Sequence, residues 1–324
     1  MNCIADAPEI VRQPPWIAAQ CLQTTLSFTT LLLSIKFVLT LKQSTLLNTS
    51  TVLLILLCTA FANLHALVLI GIQVHDIVTS ALYTEPCDLS FKTSDCMIPT
   101  CIIMFCIAGM VICQNALWID RFVATTFSRF HHRNCKQFGF TLCTLVTALS
   151  FLVPFLIFYK DPYNDTVLTC VMTPAGSAAA VNFLFNAIVI LNFAAITANI
   201  LIYFANRRME KTLRFNLTQR FQAFENKMVS TWVGMVVSVQ FAFMTTYSLA
   251  MFLIRTEGQH LPDITKQVLR IWFYLVPFST ASLPLISLLA LRLCTKNRQA
   301  SINRMTNQKA DHSAYMNHLM KMWS

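Results

Sequence analysis

Charged residues are scarce in this chain of 324 residues. Asp, Glu, Lys and Arg make up 12% of the sequence, against roughly 25% in an ordinary soluble domain. Hydrophobic residues make up 56%, and only 6 residues are glycine. A soluble protein this apolar could not cover its surface with polar groups. The composition therefore excludes an ordinary soluble domain and indicates an integral membrane protein.

Motifs for metal binding, nucleotide binding and nucleophilic catalysis are also missing. The 12 cysteines include no C-x-x-C pair, and the sequence contains no phosphate-binding loop and no nucleophile elbow. His131 and His132 stand side by side in a basic segment without acidic neighbours, and we expect them to be solvated or to face lipid. We therefore expect no metal, no cofactor and no enzymatic activity.

Seven stretches are long and apolar enough to cross a bilayer, which takes about 20 residues per helix. Runs rich in Leu, Ile, Val and Phe favour helices over a barrel of short alternating strands. The predicted fold class is an all-α membrane protein, a seven-transmembrane helix bundle. The predicted spans are 22–41, 51–74, 98–119, 138–158, 176–204, 229–253 and 268–291. The predicted divisions are an N-terminal segment 1–21, the bundle 22–291 and a tail 292–324.

The positions of Lys and Arg predict how the chain is oriented. With the N-terminus outside the cell, 17 of the 24 Lys and Arg residues fall in cytosolic segments and five in extracellular ones. Membrane proteins carry such an excess of positive charge in their cytosolic loops. We therefore expect an extracellular N-terminus and a cytosolic C-terminus. The net charge of +10 reflects the inner membrane face rather than nucleic-acid binding.

Two covalent modifications are expected on the outer side. Of the three N-x-Ser/Thr sequons, only that at Asn164 falls in an extracellular loop, which predicts glycosylation there. Cys96 stands at the outer end of the third span and Cys170 in the loop between the fourth and fifth spans, in an oxidising compartment. A Cys96–Cys170 disulfide would fasten this loop over the bundle. Cys87 and Cys101 are the rival partners of Cys170.

An acid–arginine–aromatic sequence, Asp120-Arg121-Phe122, stands at the inner end of the third span. Alone, such a pair can be interfacial, with the arginine reaching lipid phosphates. Arg121 follows Cys96 by 25 residues, about 37 Å of helix, so one helix joins the outer cysteine to the inner arginine. With the seven spans, this arrangement resembles the rhodopsin-like G-protein-coupled receptors. The resemblance implies that Asp120 holds Arg121 at rest and that Arg121 contacts a heterotrimeric G protein on activation.

The segment between the fifth and sixth spans has apolar residues at helical spacing with basic residues beside them. We expect it to extend helix six into the cytosol. Its apolar face packs on the bundle or contacts a protein partner, and its basic residues fit membrane lipid headgroups. The apolar residues are Leu213, Leu217, Phe221, Phe224 and Met228, and the basic ones are Arg214, Arg220 and Lys227.

The string Arg220-Phe221-Gln222-x-x-Glu225-Asn226 narrows the resemblance further. Together with the chain length and the Asp-Arg-Phe sequence, it is similar to the nematode serpentine receptors of class alpha, the Sra chemoreceptors. The resemblance implies a receptor in the plasma membrane of a chemosensory neuron, including its ciliary membrane, and leaves open whether it pairs with another receptor. The residues expected to couple to the G protein are Asp120, Arg121, Phe122, Arg214, Arg220, Phe221 and Phe224.

Other features limit the resemblance and define its main alternative. Pro284 in the seventh span has no Asn before it and no Tyr after it, and the sixth span has no proline. The switch residues of rhodopsin-like receptors therefore cannot be transferred to these helices. A multi-pass transporter or channel subunit is the alternative function. Internal repeats and glycine-broken helices typical of transporters are not found in the sequence.

The outer halves of helices three, five, six and seven form the expected ligand site. No ionised residue is expected deep in this region. A small apolar or weakly polar ligand is therefore predicted, and a charged amine or carboxylate is disfavoured. The candidate ligand-binding residues are Ile103, Met104, Ile107, Asn182, Asn186, Tyr247, Trp272 and Tyr274.

Overall fold

The computed structural model describes residues 4, 6–43, 47–212, 217–308 and 320. Two short strands, β1 (Phe91–Lys92) and β2 (Thr166–Val167), pair in antiparallel register, and almost all other regular structure in these residues is helical. The α-helices are α1 (Ala7–Val11), α2 (Pro14–Lys42), α3 (Thr49–Leu82), α4 (Met97–Thr126), α5 (Ser128–Phe158), α6 (Ala178–Thr212), α7 (Leu217–Thr256), α8 (Asp263–Trp272) and α9 (Val276–Gln308).

Seven helical segments in the described part of the chain are long and apolar enough to cross a membrane, which confirms the predicted fold class. Numbered one to seven, they are Pro14–Lys42, Thr49–Leu82, Met97–Thr126, Arg133–Phe158, Ala175–Met209, Asn226–Thr256 and Asp263–Ala300. Each contains the corresponding predicted span and extends beyond it. The 34 residues of α3 make about 51 Å of helix, against a hydrocarbon core about 30 Å thick. Which end faces the cytosol stays a prediction from the charge distribution.

Helix seven is divided, although the sequence predicts one continuous span. Its first part, α8, ends at Trp272, and α9 begins at Val276. Pro277 occupies the first turn of α9, where its missing N–H needs no acceptor. Tyr274 lies in the break, is buried, and its hydroxyl is 2.8 Å from Nε2 of His65 on helix two. The break therefore turns the Tyr274 side chain into the bundle.

The outer surface of the bundle is apolar. Phe151 on helix four and Phe183 on helix five are 73% and 77% exposed, and Leu32 on helix one is 69% exposed. So large an apolar surface fits contact with lipid rather than water. Helix three, by contrast, has buried residues from Thr100 to Ala124. It therefore runs through the interior of the bundle and joins its two ends.

A cap covers one end of the bundle, which we name the disulfide end. A disulfide joins Cys96 at the start of helix three to Cys170 in the loop between helices four and five, as predicted. Cys101 is a free thiol and Cys87 belongs to another disulfide, so both rival partners of Cys170 are excluded. Asn164 is exposed in the same loop. Its glycosylation stays a prediction.

The N-terminal residues form the rest of the cap. Ile10 and Trp16 are buried in an apolar cluster that includes Leu168 of the disulfide-bonded loop and Ile271 of α8. The indole N–H of Trp272 donates a hydrogen bond to the Pro15 carbonyl at 3.0 Å. These contacts fix the N-terminal segment, the loop and helix seven in one arrangement, and a cavity remains beneath them.

Candidate functional site

Asp120 and Arg121 are both buried near the last turn of helix three, at the opposite end from the disulfide. The two side chains are 0% and 1% exposed. Arg121 donates hydrogen bonds to Oδ2 of Asp120 from Nη2 at 2.5 Å and from Nε at 3.2 Å. A charge withdrawn from water is tolerated when a counter-charge and hydrogen bonds replace the solvent. The neighbouring helices supply the remaining hydrogen bonds.

Helix two contributes two hydroxyl groups from its first turn. The Thr51 hydroxyl donates to Oδ2 of Asp120 at 2.9 Å and accepts a hydrogen bond from Nη2 of Arg121. The Ser50 hydroxyl is 3.2 Å from Nε2 of His131. Both residues are fully buried. The start of helix two is thereby attached to the end of helix three.

His131, in the first turn of α5, completes the coordination of Asp120. Its Nε2 lies 2.9 Å from Oδ1 of Asp120, and the side chain is buried. The expectation that His131 is solvated or faces lipid is therefore wrong, because the turn between α4 and α5 brings it back over the end of helix three. The side chain of His132 lies outside the described residues. Since a carboxylate only accepts hydrogen bonds, Nε2 of His131 carries the proton shared with Asp120.

Helix six supplies the weakest contact of Arg121. Nη1 of Arg121 donates to Oδ1 of Asn226 at 3.5 Å, and Nδ2 of Asn226 donates to the Ala124 carbonyl at 3.4 Å. Both distances are at the long end for hydrogen bonds. We name this group the Arg121 cluster. Its members are Ser50, Thr51, Asp120, Arg121, His131 and Asn226.

The other residues predicted to couple to the G protein are partly exposed, or they lie outside the described residues. Phe122 is 45% exposed on helix three. Phe224 is half-buried, and the Lys227 ammonium lies 5.2 Å from the centre of its ring. Arg214 lies outside the described residues, as do the side chains of Arg220 and Phe221, whose backbone belongs to α7. Their contact with a G protein stays a prediction.

A cavity of about 310 Å³ lies at the disulfide end, between the cap and helices six and seven. Its floor includes the buried side chains of Tyr247 on helix six and Tyr274 on helix seven. Leu168, Val171, Met172, Met251 and Ile271 provide much of its apolar wall. A small pocket with a mostly apolar lining and a few convergent polar groups is the usual form of a small-molecule site.

Two arginines also line this cavity, although the sequence predicts no ionised residue deep in the outer half of the bundle. Arg255 extends from helix six and Arg270 from helix seven, and both are partly buried. Arg255, at the end of helix six, donates hydrogen bonds to Oδ1 of Asn182, to the Ala178 carbonyl at 3.1 Å and to the Thr173 hydroxyl at 3.3 Å. The premise that disfavours a charged ligand is therefore wrong.

The structure brings together two of the eight predicted ligand-binding residues, Tyr247 and Tyr274, in the cavity wall. Asn182 instead accepts the hydrogen bond from Arg255, and Asn186 is exposed on helix five. Trp272 is 39% exposed beside the N-terminal segment. The three remaining residues are on helix three, buried in the core and not part of the cavity wall; they are Ile103, Met104 and Ile107. Ligand contact by any of the eight stays a prediction.

Metal-ligating side chains do not gather at either end. In residues 6–43, 47–212 and 217–308, no group of three or more His, Cys, Asp or Glu side chains could hold a metal ion. The Arg121 cluster is held by hydrogen bonds and the Asp120–Arg121 ion pair. In the cavity, Arg255 and Arg270 are held by hydrogen bonds to neutral groups of the chain.

Seven membrane-length helices, a loop joined to helix three by a disulfide and a buried acid–arginine pair at the other end of that helix are the features of a seven-transmembrane receptor. A family profile described as "Serpentine type 7TM GPCR chemoreceptor Sra" matches residues 5–323. The chain belongs to this family of seven-transmembrane chemoreceptors. The family is one of chemoreceptors, which supports a receptor function for this chain.

Known relatives cover nearly the whole chain. Serpentine receptor class alpha-10 of Caenorhabditis briggsae is 29% identical over 303 residues, which are 93% of this chain and 91% of that protein. Serpentine receptor class alpha-10 of Caenorhabditis elegans is 29% identical over 306 residues, 94% of this chain and 91% of that protein. Serpentine receptor class alpha-1 of Caenorhabditis elegans is 26% identical over 98% of this chain and 97% of that protein.

Proposed function

We propose that this receptor binds a small molecule at the disulfide end, from outside the cell, and activates a heterotrimeric G protein at the Asp120 end. The observation that carries the proposal is the Arg121 cluster, in which a membrane-boundary arginine is buried among four helices. An arginine so enclosed is inaccessible to a cytosolic partner. The described arrangement therefore corresponds to a resting receptor.

The distances within the Arg121 cluster favour helix six as the element that moves. Arg121 is attached to helices two and three through Thr51 and Asp120, with Nη2 of Arg121 2.5 Å from the carboxylate. Its contact with Asn226 on helix six is 3.5 Å long. A long hydrogen bond is weaker than a short one. Displacement of helix six therefore uncovers Arg121 at a smaller cost in free energy than displacement of helix two. A ligand that binds the displaced state more tightly shifts the population toward it.

The charge distribution supports the orientation. The loops at the Asp120 end and the tail contain most of the 24 Lys and Arg residues, as expected for a cytosolic face. At the disulfide end, Cys96–Cys170 fits an oxidising compartment, and Asn164 is exposed in the same loop. We assign the protein to the plasma membrane of a chemosensory neuron, including its cilium. A glycosylation shift that survives replacement of Asn164 would contradict this orientation.

The lining of the cavity supports a ligand that is small and apolar over most of its surface. Its apolar residues are contributed by the loop and by helices six and seven, and its volume is about 310 Å³. This is near the lower end of the roughly 300–1,000 Å³ common for ligand pockets. Helix six borders both the cavity, through Tyr247 and Met251, and the Arg121 cluster, through Asn226. One helix therefore connects the two sites.

The test uses basal activity and needs no ligand. Asn226→Ala removes the contact between helix six and Arg121, which is worth about 1 kcal/mol, a factor of about five in the resting-to-active ratio. We expect nucleotide exchange on a panel of purified heterotrimeric G proteins to rise about fivefold in receptor membranes. Adding Arg121→Ala should abolish this rise when exchange is normalised to the amount of folded receptor in the membranes, because this replacement also leaves Asp120 buried without its counter-charge.

Asn206→Ala is the matched control. Asn206 lies at the same end of the bundle, but its amide donates to the Thr125 hydroxyl at 3.1 Å and to the Ile202 carbonyl instead of touching Arg121. It should leave basal exchange unchanged. Full exchange by the double variant Asn226→Ala, Arg121→Ala would remove Arg121 from the coupling mechanism.

A further inference from the structure

Arg270 is the least compensated charge in the cavity wall, and its environment bears on the ligand that the proposed function requires. Its Nη1 donates one hydrogen bond at 3.3 Å, to Oε1 of Gln267 one turn earlier on α8. Its Nε is buried and has no hydrogen-bond partner among the described residues. The exposed acid on the same helix, Asp263, forms its ion pair with Lys266 at 2.9 Å and acts on Arg270 only as a more distant charge. Arg270 thus has an unmet capacity to bind an acceptor.

Arg255 adds a second positive charge to the same cavity. The acceptors of its guanidinium are the neutral oxygens of Thr173, Ala178 and Asn182. Within the described ranges, no Asp or Glu carboxylate pairs with Arg255 or Arg270. Two like charges that face one cavity repel each other, and burial strengthens the repulsion. The hydrogen bonds of Arg255 orient it but leave its charge unbalanced.

The acids nearest to the cavity do not neutralise these charges. Asp165 is the one acid among the described lining residues; it is exposed, and its backbone carbonyl accepts a hydrogen bond from the Thr93 hydroxyl. Asp76 on helix two is buried and interacts with Thr169, but it does not line the cavity. The wall therefore has an excess of positive charge at the depth of Arg270.

We propose that the cavity binds a small ligand with an apolar body and one carboxylate-class anionic group, which Arg270 binds and the charge of Arg255 stabilises. Guanidinium is planar and presents paired N–H groups that match a carboxylate. A partly buried cation without a counter-ion gains more from an incoming anion than one already paired. The apolar wall formed by Leu168, Met251 and Ile271 accommodates the body of the ligand.

A single negative charge fits the site better than two. The carboxylate of Asp165, a lining residue, repels a doubly charged group such as a phosphate dianion more strongly than a group with one negative charge. The volume of about 310 Å³ also leaves little room for the water that a dianion retains. A purely structural role, anchoring the loop, would account for the hydrogen bonds of Arg255 to Thr173 and Ala178. It does not account for Arg270, whose buried Nε has no hydrogen-bond partner among the described residues.

The experiment compares straight-chain carboxylic acids of about six to ten carbons, chosen to fit so small a pocket, with their primary amides. The amides match the acids in shape and lack the charge. Thermal melting of the purified, full-length receptor, followed by tryptophan fluorescence, reports binding without a G protein, because a ligand that binds the folded state raises the melting temperature. We expect at least one acid to raise it at concentrations about tenfold lower than its amide.

Three variants assign the effect to Arg270. Arg270→Gln should remove the difference between acid and amide, and Arg270→Lys should retain part of it because the charge is kept. Lys92→Gln is the control: it removes a positive charge from the disulfide end, but Lys92 is exposed on β1 and is not in the cavity wall. It should change the affinity for the acid by less than about twofold.

Failure of this inference is distinguishable from failure of the proposed function. Equal stabilisation by acids and amides, stabilisation by no acid, or an unchanged acid preference in Arg270→Gln would each contradict the anionic ligand. Nucleotide exchange on G proteins is then measured separately. Exchange driven by a neutral compound, with no acid bound, would leave the receptor function intact and remove the inference. Acids that bind through Arg270 but cause no nucleotide exchange on any G protein would support the inference and contradict the proposed function.

Discussion

Arg121 and Arg270 lie toward opposite ends of the bundle and differ in what surrounds their charge. Arg121 is 1% exposed, is paired with Asp120 and also bonds to Thr51 and Asn226. Arg270 is partly exposed and has one hydrogen bond, to the neutral side chain of Gln267. Arg121, whose charge is compensated by a carboxylate, is therefore the more deeply buried of the two arginines.

This difference separates a structural ion pair from a binding group. A fully compensated and buried guanidinium is costly to leave without its partner, and it is accessible to another molecule only when a helix moves. An under-compensated guanidinium is available at once to a molecule that enters the cavity. If the Asp120 end binds a G protein as proposed, a helix has to move first. On the same proposal, the disulfide end needs only a ligand of the right charge.

The largest expected loss of stability comes from removing the counter-charge of Arg121. Asp120→Asn leaves Arg121 buried without a counter-charge, and breaking a buried pair in this way costs about 3–5 kcal/mol. We expect a large loss of surface expression and a much lower melting temperature. The double variant Asp120→Asn, Arg121→Met removes both charges and should recover most of the stability, although it cannot signal. Normal stability of Asp120→Asn would mean that Arg121 is not held as described.

A smaller loss is expected from His131, which tests how completely Asp120 is bonded. His131→Ala removes the 2.9 Å contact to Oδ1 of Asp120, a buried hydrogen bond to a charged group, at a cost of about 1–3 kcal/mol. The melting temperature of the purified receptor measures this loss. His131→Gln retains an amide donor and should be milder. His260→Ala, an exposed histidine, should stay within about 0.5 kcal/mol of the parent; an equal loss there would make the His131 effect unspecific.

The fold was accessible from the sequence because lipid imposes a strong constraint. About 20 apolar residues in a row have few structures open to them other than a spanning helix, and seven such runs predict the bundle. The topology brings Cys96 and Cys170 to the same end, but it brings Cys87 and Cys101 there too, and the structure was needed to exclude these two. The division of helix seven was not predictable, since Pro277 stands in a continuous apolar run and only packing shows that Tyr274 turns inward.

The polar contacts between helices were harder to predict. Asp120 and Arg121 are adjacent in the sequence, but Thr51 and Asn226 are 70 and 105 residues from Arg121, and no local period relates them. His131 follows Asp120 by 11 residues, and the turn after Thr126 decides whether it faces solvent or the carboxylate. Arg270 carried a usable signal, because an arginine inside a membrane span is rare and normally functional.

The smallest expected effect on stability comes from giving Arg270 a carboxylate partner of the kind that Arg121 already has. In Gln267→Glu, the side chain that already accepts a hydrogen bond from Arg270 at 3.3 Å gains a negative charge. A pair at this helical spacing adds about 0.2–0.5 kcal/mol, so the melting temperature should rise slightly. The same variant should weaken binding of the acid probes about tenfold, because an internal carboxylate competes for Arg270.

The amide probes should be unaffected by Gln267→Glu, since they carry no charge to be repelled. Gln137→Glu makes the same change of charge on an exposed residue of helix four, far from the cavity, and should alter neither probe. If Gln267→Glu weakened acid and amide equally, the cause would be steric. If it weakened the binding of neither probe, Arg270 would not be the residue that binds the anion. The difference in charge compensation between Arg121 and Arg270 would then have no consequence for ligand binding.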